Sequence, residues 1–260
     1  MGFLTELTDG IRRRMLDHPP DEGRLLARAK ARPPARDALA AIRRAASTPA
    51  VIAEVKRASP SAGSIAPDVD PAVQAEAYAD AGASVISVLT EPTSFLGSLT
   101  DLEAVRLRVD VPLLRKDFLV HPAQVIEARA HGADAVLLIT ACLSQNELVA
   151  MLSLTHDLGM SALVEAHGTG DLDRVLDTDA ELIGVNARDL ETLEVDVGRA
   201  LADLARIPDH RVGVLESGIS SRADVVAAER AGASAILVGE SLMRAGDPRR
   251  KLRELLGEET

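Results

Sequence analysis

Ala81-Gly-Ala-Ser-Val-Ile-Ser-Val88 returns twice further along the chain, as His131-Gly-Ala-Asp-Ala-Val-Leu-Leu138 and as Ala231-Gly-Ala-Ser-Ala-Ile-Leu-Val238. Each copy places a glycine at the C-terminal cap of a helical pattern and starts an apolar run two to three residues later. The copies lie 50 and then 100 residues apart, which implies a repeated strand–helix unit of about 25 residues. Outward from these joints the chain carries eight short apolar runs: 50–56, 85–90, 112–117, 135–140, 161–166, 182–187, 211–217 and 235–240. Helically spaced stretches separate them, as at 71–81, 122–131, 144–158 and 221–231. The runs are continuously apolar rather than alternating, which suits parallel strands covered on both faces. Eight βα units in roughly 210 residues have the size and order of a (β/α)8 barrel. An open doubly wound sheet is the competing topology, but it more usually carries a GxGxxG turn after its first strand, and none is present. The expected fold is therefore α/β, a single (β/α)8 TIM barrel over residues 50–260.

Residues 1–49 read as an N-terminal helical extension packed on the floor or mouth of that barrel, because so short a segment cannot build a core of its own. Leu4, Leu7, Ile11 and Met15 form one apolar helical stripe, which His18-Pro-Pro20 stops. A second helix is expected over 24–32 and a third from Pro34 to about Ala46.

Composition narrows the function class. The chain has 260 residues, 47% of them hydrophobic, enough for one large core, and a net charge of −11. That charge argues against nucleic acid or an anionic membrane as partner, since either needs a basic footprint. A single cysteine, Cys142, excludes an intrachain disulfide, and the six histidines show no ligand spacing for a metal. No apolar run approaches the roughly 20 residues that span a bilayer, and there is no signal-peptide pattern at the N-terminus. A cytoplasmic monomer without metal or cofactor is the expectation. Aromatic residues make up only 2%, so the core must be packed with Ala, Val, Leu and Ile.

In a parallel barrel the C-terminal strand ends and their loops form the active face. Glu54 and Lys56 are two residues apart, so they project from one face of the first strand just before a Ser59-Pro60 loop. A structural ion pair and a reactive pair both fit that spacing. The later strand ends supply Glu91, Lys116, Thr140, Glu165, Asn186 with Arg188, Glu216-Ser217-Gly218 and Gly239-Glu240-Ser241. Lysines, carboxylates and an amide thus converge on one mouth. The turns after strands seven and eight sit where such barrels often bind phosphate, and glycine there permits close backbone approach. Glu240 would have to turn outward from a dianion.

Glu54-Val-Lys-Arg-Ala-Ser-Pro-Ser61 and Leu114-Arg-Lys-Asp-Phe-Leu-Val120 resemble signatures of the indole-3-glycerol-phosphate synthase family. So do Phe95-Leu-Gly-Ser98, Leu163-Val-Glu165, Gly184-Val-Asn-Ala-Arg-Asp189, Glu216-Ser-Gly-Ile219 and Leu237-Val-Gly-Glu-Ser-Leu-Met243. The likeness runs in order from about residue 37 to residue 248. It implies decarboxylating ring closure of 1-(2-carboxyphenylamino)-1-deoxyribulose 5-phosphate to indole-3-glycerol phosphate, in tryptophan biosynthesis, with an anionic sugar phosphate as substrate.

On that resemblance Lys116 is the acid that protonates the ribulose carbonyl, its proton affinity lowered by crowding from Lys56. Lys56, Glu54 and Glu165 are the remaining proton donors and acceptors. Asn186 hydrogen-bonds the sugar or positions Glu165, and Arg188 takes the anthranilate carboxylate. Phe95 and Phe118 wall the aromatic ring. Ser59, Gly218, Gly239 and either Ser241 or the Glu240 amide hold the phosphate, with Glu216 and Ser217 completing the substrate-binding set. His121 and Ala123, just after the RKDFLV run, and Ala187 depart from the family pattern. The competing readings are another phosphate-binding barrel, such as phosphoribosylanthranilate isomerase, or a paralogue that binds its ligand without turnover. The first wants a cysteine or aspartate pair at strand ends, and no cysteine ends strand one here. The intact set Lys56, Lys116 and Glu165 argues against the second.

Overall fold

The computed structural model describes residues 2–45 and 49–258. Eight strands close into a parallel barrel: β1 Ala50–Val55, β2 Val85–Leu89, β3 Leu113–Lys116, β4 Ala135–Ile139, β5 Ser161–Ala166, β6 Leu182–Asn186, β7 Val212–Glu216 and β8 Ala235–Val238. They follow one another around the ring in chain order, and β8 closes on β1 with Ala50 opposite Ala235 and Ala53 opposite Val238. Every strand lies within two residues of its expected run. Nearly all strand residues are buried, because one face packs the barrel interior and the other meets the helical layer.

The helices are α1 Phe3–Asp17, α2 Glu22–Lys30, α3 Ala38–Arg43, α4 Pro71–Asp80, α5 Leu99–Arg106 and α6 Pro122–Ala130. They continue with α7 Gln145–Asp157, α8 Thr169–Leu176, α9 Val197–Leu204, α10 Arg222–Arg230, α11 Glu240–Met243 and α12 Pro248–Leu256. Side-chain caps fix the starts of most of them, as Asp70 accepts from Ala72 N (2.8 Å) and Ser98 from Asp101 N (3.0 Å), whereas α1, α8 and α11 have none. The repeated Gly82, Gly132 and Gly232 sit one residue beyond the helix cap, at φ +99°, +93° and +96°. There each turns the chain into a strand in a conformation that side chains disfavour.

His121, a departure from the family pattern, serves as the N-cap of α6. Its Nδ1 accepts from Ala123 N (3.2 Å), while Gln124 Oε1 accepts from His121 N (3.1 Å), a reciprocal capping box. Ala123 is buried beneath it and Ala187 is buried beside β6, so none of these departures disturbs the frame.

The extension reaches both ends of the barrel. Leu4 and Ile11 of α1 enter the core, and Arg12 reaches over the mouth to Val120 O (3.2 Å), Cys142 O (3.0 Å) and Glu147 (2.8 Å). α2 packs Ala29 against Ile126 and Ala130 of α6. α3 is shorter than expected, starting at Ala38 because Asp37 caps Ala40 N at 2.8 Å; its expected end, Ala46, lies outside the described residues. Just before α3, Arg36 binds floor carbonyls of Val109 and Val111.

Asp134 is the buried node of that floor. Its carboxylate accepts from Arg36 N (2.8 Å) and Leu113 N (2.9 Å) and pairs with Arg106 (2.6 Å). It joins the extension, β3 and α5 through one group that is 3% exposed. Asp134→Ala strips a buried guanidinium and two N–H groups of their acceptor. The expected loss is about 3 kcal/mol, roughly 6–12 °C in Tm, measured by thermal unfolding. A Tm within about 2 °C of wild type contradicts the assignment.

Candidate active site

A cavity of about 470 Å³ opens at the C-terminal end of the barrel. Every candidate site residue in the sequence reading, from Glu54 on β1 to Ser241 after β8, lines it. Glu91 and Thr140, which also end strands, do not. Glu91 folds back to accept from the backbone N–H groups of Thr93, Ser94 and Phe95 and so shapes the loop that carries Phe95. Thr140 is buried in the turn after β4.

Two clusters of charge face the cavity. Lys56 Nζ lies 2.7 Å from Glu54 Oε1, so the two are an ion pair and cavity-lining groups at once. Across the mouth, Lys116 Nζ lies 3.2 Å from Glu165 Oε2 and 3.3 Å from Glu216 Oε2. The Glu216 contact lacks hydrogen-bond geometry, which leaves both oxygens of that buried carboxyl without a hydrogen-bond partner. A relay orients the other carboxylate: Ser217 Oγ donates to Asn186 Oδ1 (2.8 Å), and Asn186 Nδ2 donates to Glu165 Oε1 (3.1 Å).

Burial alone lowers the proton affinity of Lys116, but Glu165, Glu216 and Glu54 together outweigh burial and hold it above the usual lysine range. The expectation that Lys56 lowers it is therefore overturned. Lys56 is matched by its own carboxylate, and Lys116 faces more negative than positive charge. Three carboxylates against two ammonium groups leave one negative charge in excess, and a proton on Glu216 absorbs it. Burial, with Glu165 nearby, pushes the Glu216 carboxyl up to about 8, against the pull of Lys116.

On the opposite wall, Ser217 and Gly218 take left-handed backbone at φ +67° and +75°. A Cβ on Gly218 would come 2.6 Å from Val197 Cγ2, and one on Gly239 would strike the Glu54 carboxylate, so both turns hold the backbone close to the cavity. Glu240 pairs with Arg244 at 3.0 Å, and both line the cavity. Ser241 donates its hydroxyl to Ile219 O (3.0 Å), and Ser59 Oγ accepts from Ala62 N (3.2 Å). Phe95 and Phe118 face each other with ring centroids 6.1 Å apart. Arg188 lends Nη1 to Leu193 O (2.9 Å), which bends the loop after β6 over the aromatic wall.

The sequence reading missed Phe3, Leu190, Leu193 and Arg244, all on the cavity surface. Arg244 had a signal, its i,i+4 spacing from Glu240. Phe3 had none beyond the shortage of aromatics, since only the docking of α1 brings it to the mouth.

Comparison with known proteins agrees over nearly the whole chain. The family model described as indole-3-glycerol phosphate synthase matches residues 13–255. An indole-3-glycerol phosphate synthase of Mycobacterium ulcerans is 54% identical over 230 residues, covering 88% of this chain and 84% of that one. One of Mycobacterium tuberculosis is 52% identical over the same share. Among solved structures, 3-hexulose-6-phosphate synthase superposes with a TM-score of 0.63 at 16% identity, covering 80% of this chain and 98% of that one. At that identity the likeness speaks for the barrel alone.

The proton on Glu216 has a measurable sign. The folded chain keeps it up to about pH 8, whereas the unfolded chain releases it near the ordinary value of 4.5. Between those values the native state binds more protons, so this group lowers stability as pH rises. Glu216→Gln removes that penalty. Its Tm advantage over wild type should grow as pH rises from about 5 to about 9, read by calorimetry. A pH-independent difference would overturn the raised proton affinity.

Proposed function

This chain belongs to the indole-3-glycerol phosphate synthase family, and from that premise we propose how its own side chains close the indole ring. The family reaction converts 1-(2-carboxyphenylamino)-1-deoxyribulose 5-phosphate to indole-3-glycerol phosphate with loss of CO₂ and water, a carboxy-lyase step of tryptophan biosynthesis. The observation that carries the assignment of roles is Lys116, an ammonium held between two buried carboxylates at the edge of an aromatic-walled cavity.

As the ring carbon bearing the carboxylate attacks the ribulose ketone, the ketone oxygen gathers negative charge and Lys116 donates a proton to it. Its raised proton affinity keeps it charged until that oxygen becomes basic, at the cost of a weaker acid. Lys116 is an ammonium at any ordinary pH, and the nascent alkoxide is a stronger base still. Departure of CO₂ returns the bonding pair to the ring and restores aromaticity. Loss of water then needs one proton delivered to the new hydroxyl and one removed beside it. Glu165, fixed by Asn186, and the Lys56–Glu54 pair are the groups for that exchange. Glu216 keeps Lys116 in place and holds the extra proton from which Lys116 is recharged.

Around this centre, Arg188 binds the substrate carboxylate and Phe95 with Phe118 wall the aromatic ring. Ser59, Ser217, Gly218, Gly239, Ser241 and the Glu240 amide receive the phosphate, with Lys56 supplying charge. Residues 1–49 act as an extension that roofs the mouth through Phe3 and Arg12, and residues 50–260 are the catalytic barrel. A cytoplasmic monomer completes the proposal. The large exposed apolar side chains, Leu16 and Leu107 foremost, sit apart on α1 and just after α5 rather than on one element, and light scattering tests it.

Lys116→Ala is expected to cut ring closure by about 10²–10⁴-fold, read by fluorescence of the indole product, while phosphate-ligand binding largely survives. Near-normal turnover would remove Lys116 as the acid. Glu165→Gln should slow a proton-transfer step without unfolding the barrel, and unaltered kinetics would count against its role. Activity should persist in excess chelator; loss of turnover there would mean that a metal takes part.

A further inference from the structure

Gly184 lies on β6, between the strands that carry the two carboxylates flanking Lys116. Glu165 on β5 is its register partner. Glu216 on β7 is opposite Asn186, two residues further along the same face of β6. The Glu216 side chain leans back over Gly184. A Cβ there would overlap Glu216 Oε1, approach its Cδ to 3.3 Å and touch Leu163 Cδ1 at 3.3 Å. No backbone demand explains the glycine, for it sits inside a strand and is not among the positive-φ glycines. Glycine within a strand weakens it and tends to mark a close approach by another group. Here that group is a carboxyl that is 1% exposed.

We propose that Gly184 is a positioning residue for ring closure: its missing side chain is the space through which the Glu216 carboxyl reaches Lys116 alongside Glu165. A methyl group at this position displaces Glu216 and leaves Lys116 with one carboxylate partner beside it. The ammonium then loses the support that aims it at the ketone. The smaller residues are at a premium here because the walls cannot yield: Leu163 closes the other side, and β6 is bonded into the barrel between β5 and β7.

The test is a double-mutant cycle of Gly184→Ala with Glu216→Asp, whose shorter side chain gives back the room. The inference rests on the proposed role of Glu216, so Glu216→Asp is measured alone as well. Gly184→Ala in the wild-type background should lower kcat by about 10–100-fold and move the limbs of the pH–kcat profile, which loss of folded protein would not do. In the Glu216→Asp background the same substitution should cost less than about 3-fold, the non-additivity expected of residues in contact. Losses of equal size in both backgrounds, or a Gly184→Ala enzyme within about 3-fold of wild type beside a crippled Glu216→Asp, overturn the proposal for Gly184 alone. A silent Glu216→Asp overturns it together with the role given to Glu216. If Gly184→Ala does not fold, recovery of the Tm in the double variant supports the proposal, and its failure to recover overturns it.

Discussion

An ammonium group shared by two buried carboxylates sets the terms for the whole barrel mouth. Lys116, Glu165 and Glu216 come from three different strands, and each is costly to bury without the others. Removing Lys116 leaves two buried carboxyl groups without their ammonium partner. The barrel must therefore hold β3, β5 and β7 in fixed register, and the Asn186–Ser217 relay must hold the intervening side chain. Rigidity at this point is a condition of burying the charges at all, and it holds the Lys116 ammonium in one orientation at the cavity.

The rest of the site complements that cluster. Lys56 carries its own counter-ion, Glu54, so it neither repels Lys116 strongly nor depends on it. Tight backbone turns at Ser217-Gly218 and Gly239 leave one wall free of bulky side chains, suited to an anion. Phe95, Phe118, Leu190 and Leu193 make another wall apolar. The cavity thus has both tight backbone turns and apolar side chains on its lining. The proton-transfer groups lie on its rim and base.

Much of this was legible in the sequence, and for identifiable reasons. Apolar runs covered on both faces read clearly because a barrel strand is nearly all buried, and the repeated Gly-Ala joints marked the step of the fold. Once strand ends were located, parallel topology itself gathered Glu54, Lys56, Lys116, Glu165 and Asn186 on one rim. What sequence withheld depends on geometry across the ring. Glu91 ends a strand like the others, yet it turns to its own loop's N–H groups. The direction of the Lys116 shift requires a count of carboxylates around it, and two of those lie 49 and 100 residues away in the chain. Phe3 and Arg12 acquire their places only when α1 docks, which no local pattern reports.

That docking has a consequence for how the chain is made. The acceptors of Arg12 lie 108 and 130 residues further on, at Val120 and Cys142. During translation α1 therefore leaves the ribosome well before the loops that will hold it exist, and its amphipathic stripe stays unmatched until about half the barrel has been synthesised. A helix that ends up roofing the mouth must wait as a nascent segment, vulnerable to chaperones and to self-association, while the strands beneath it assemble.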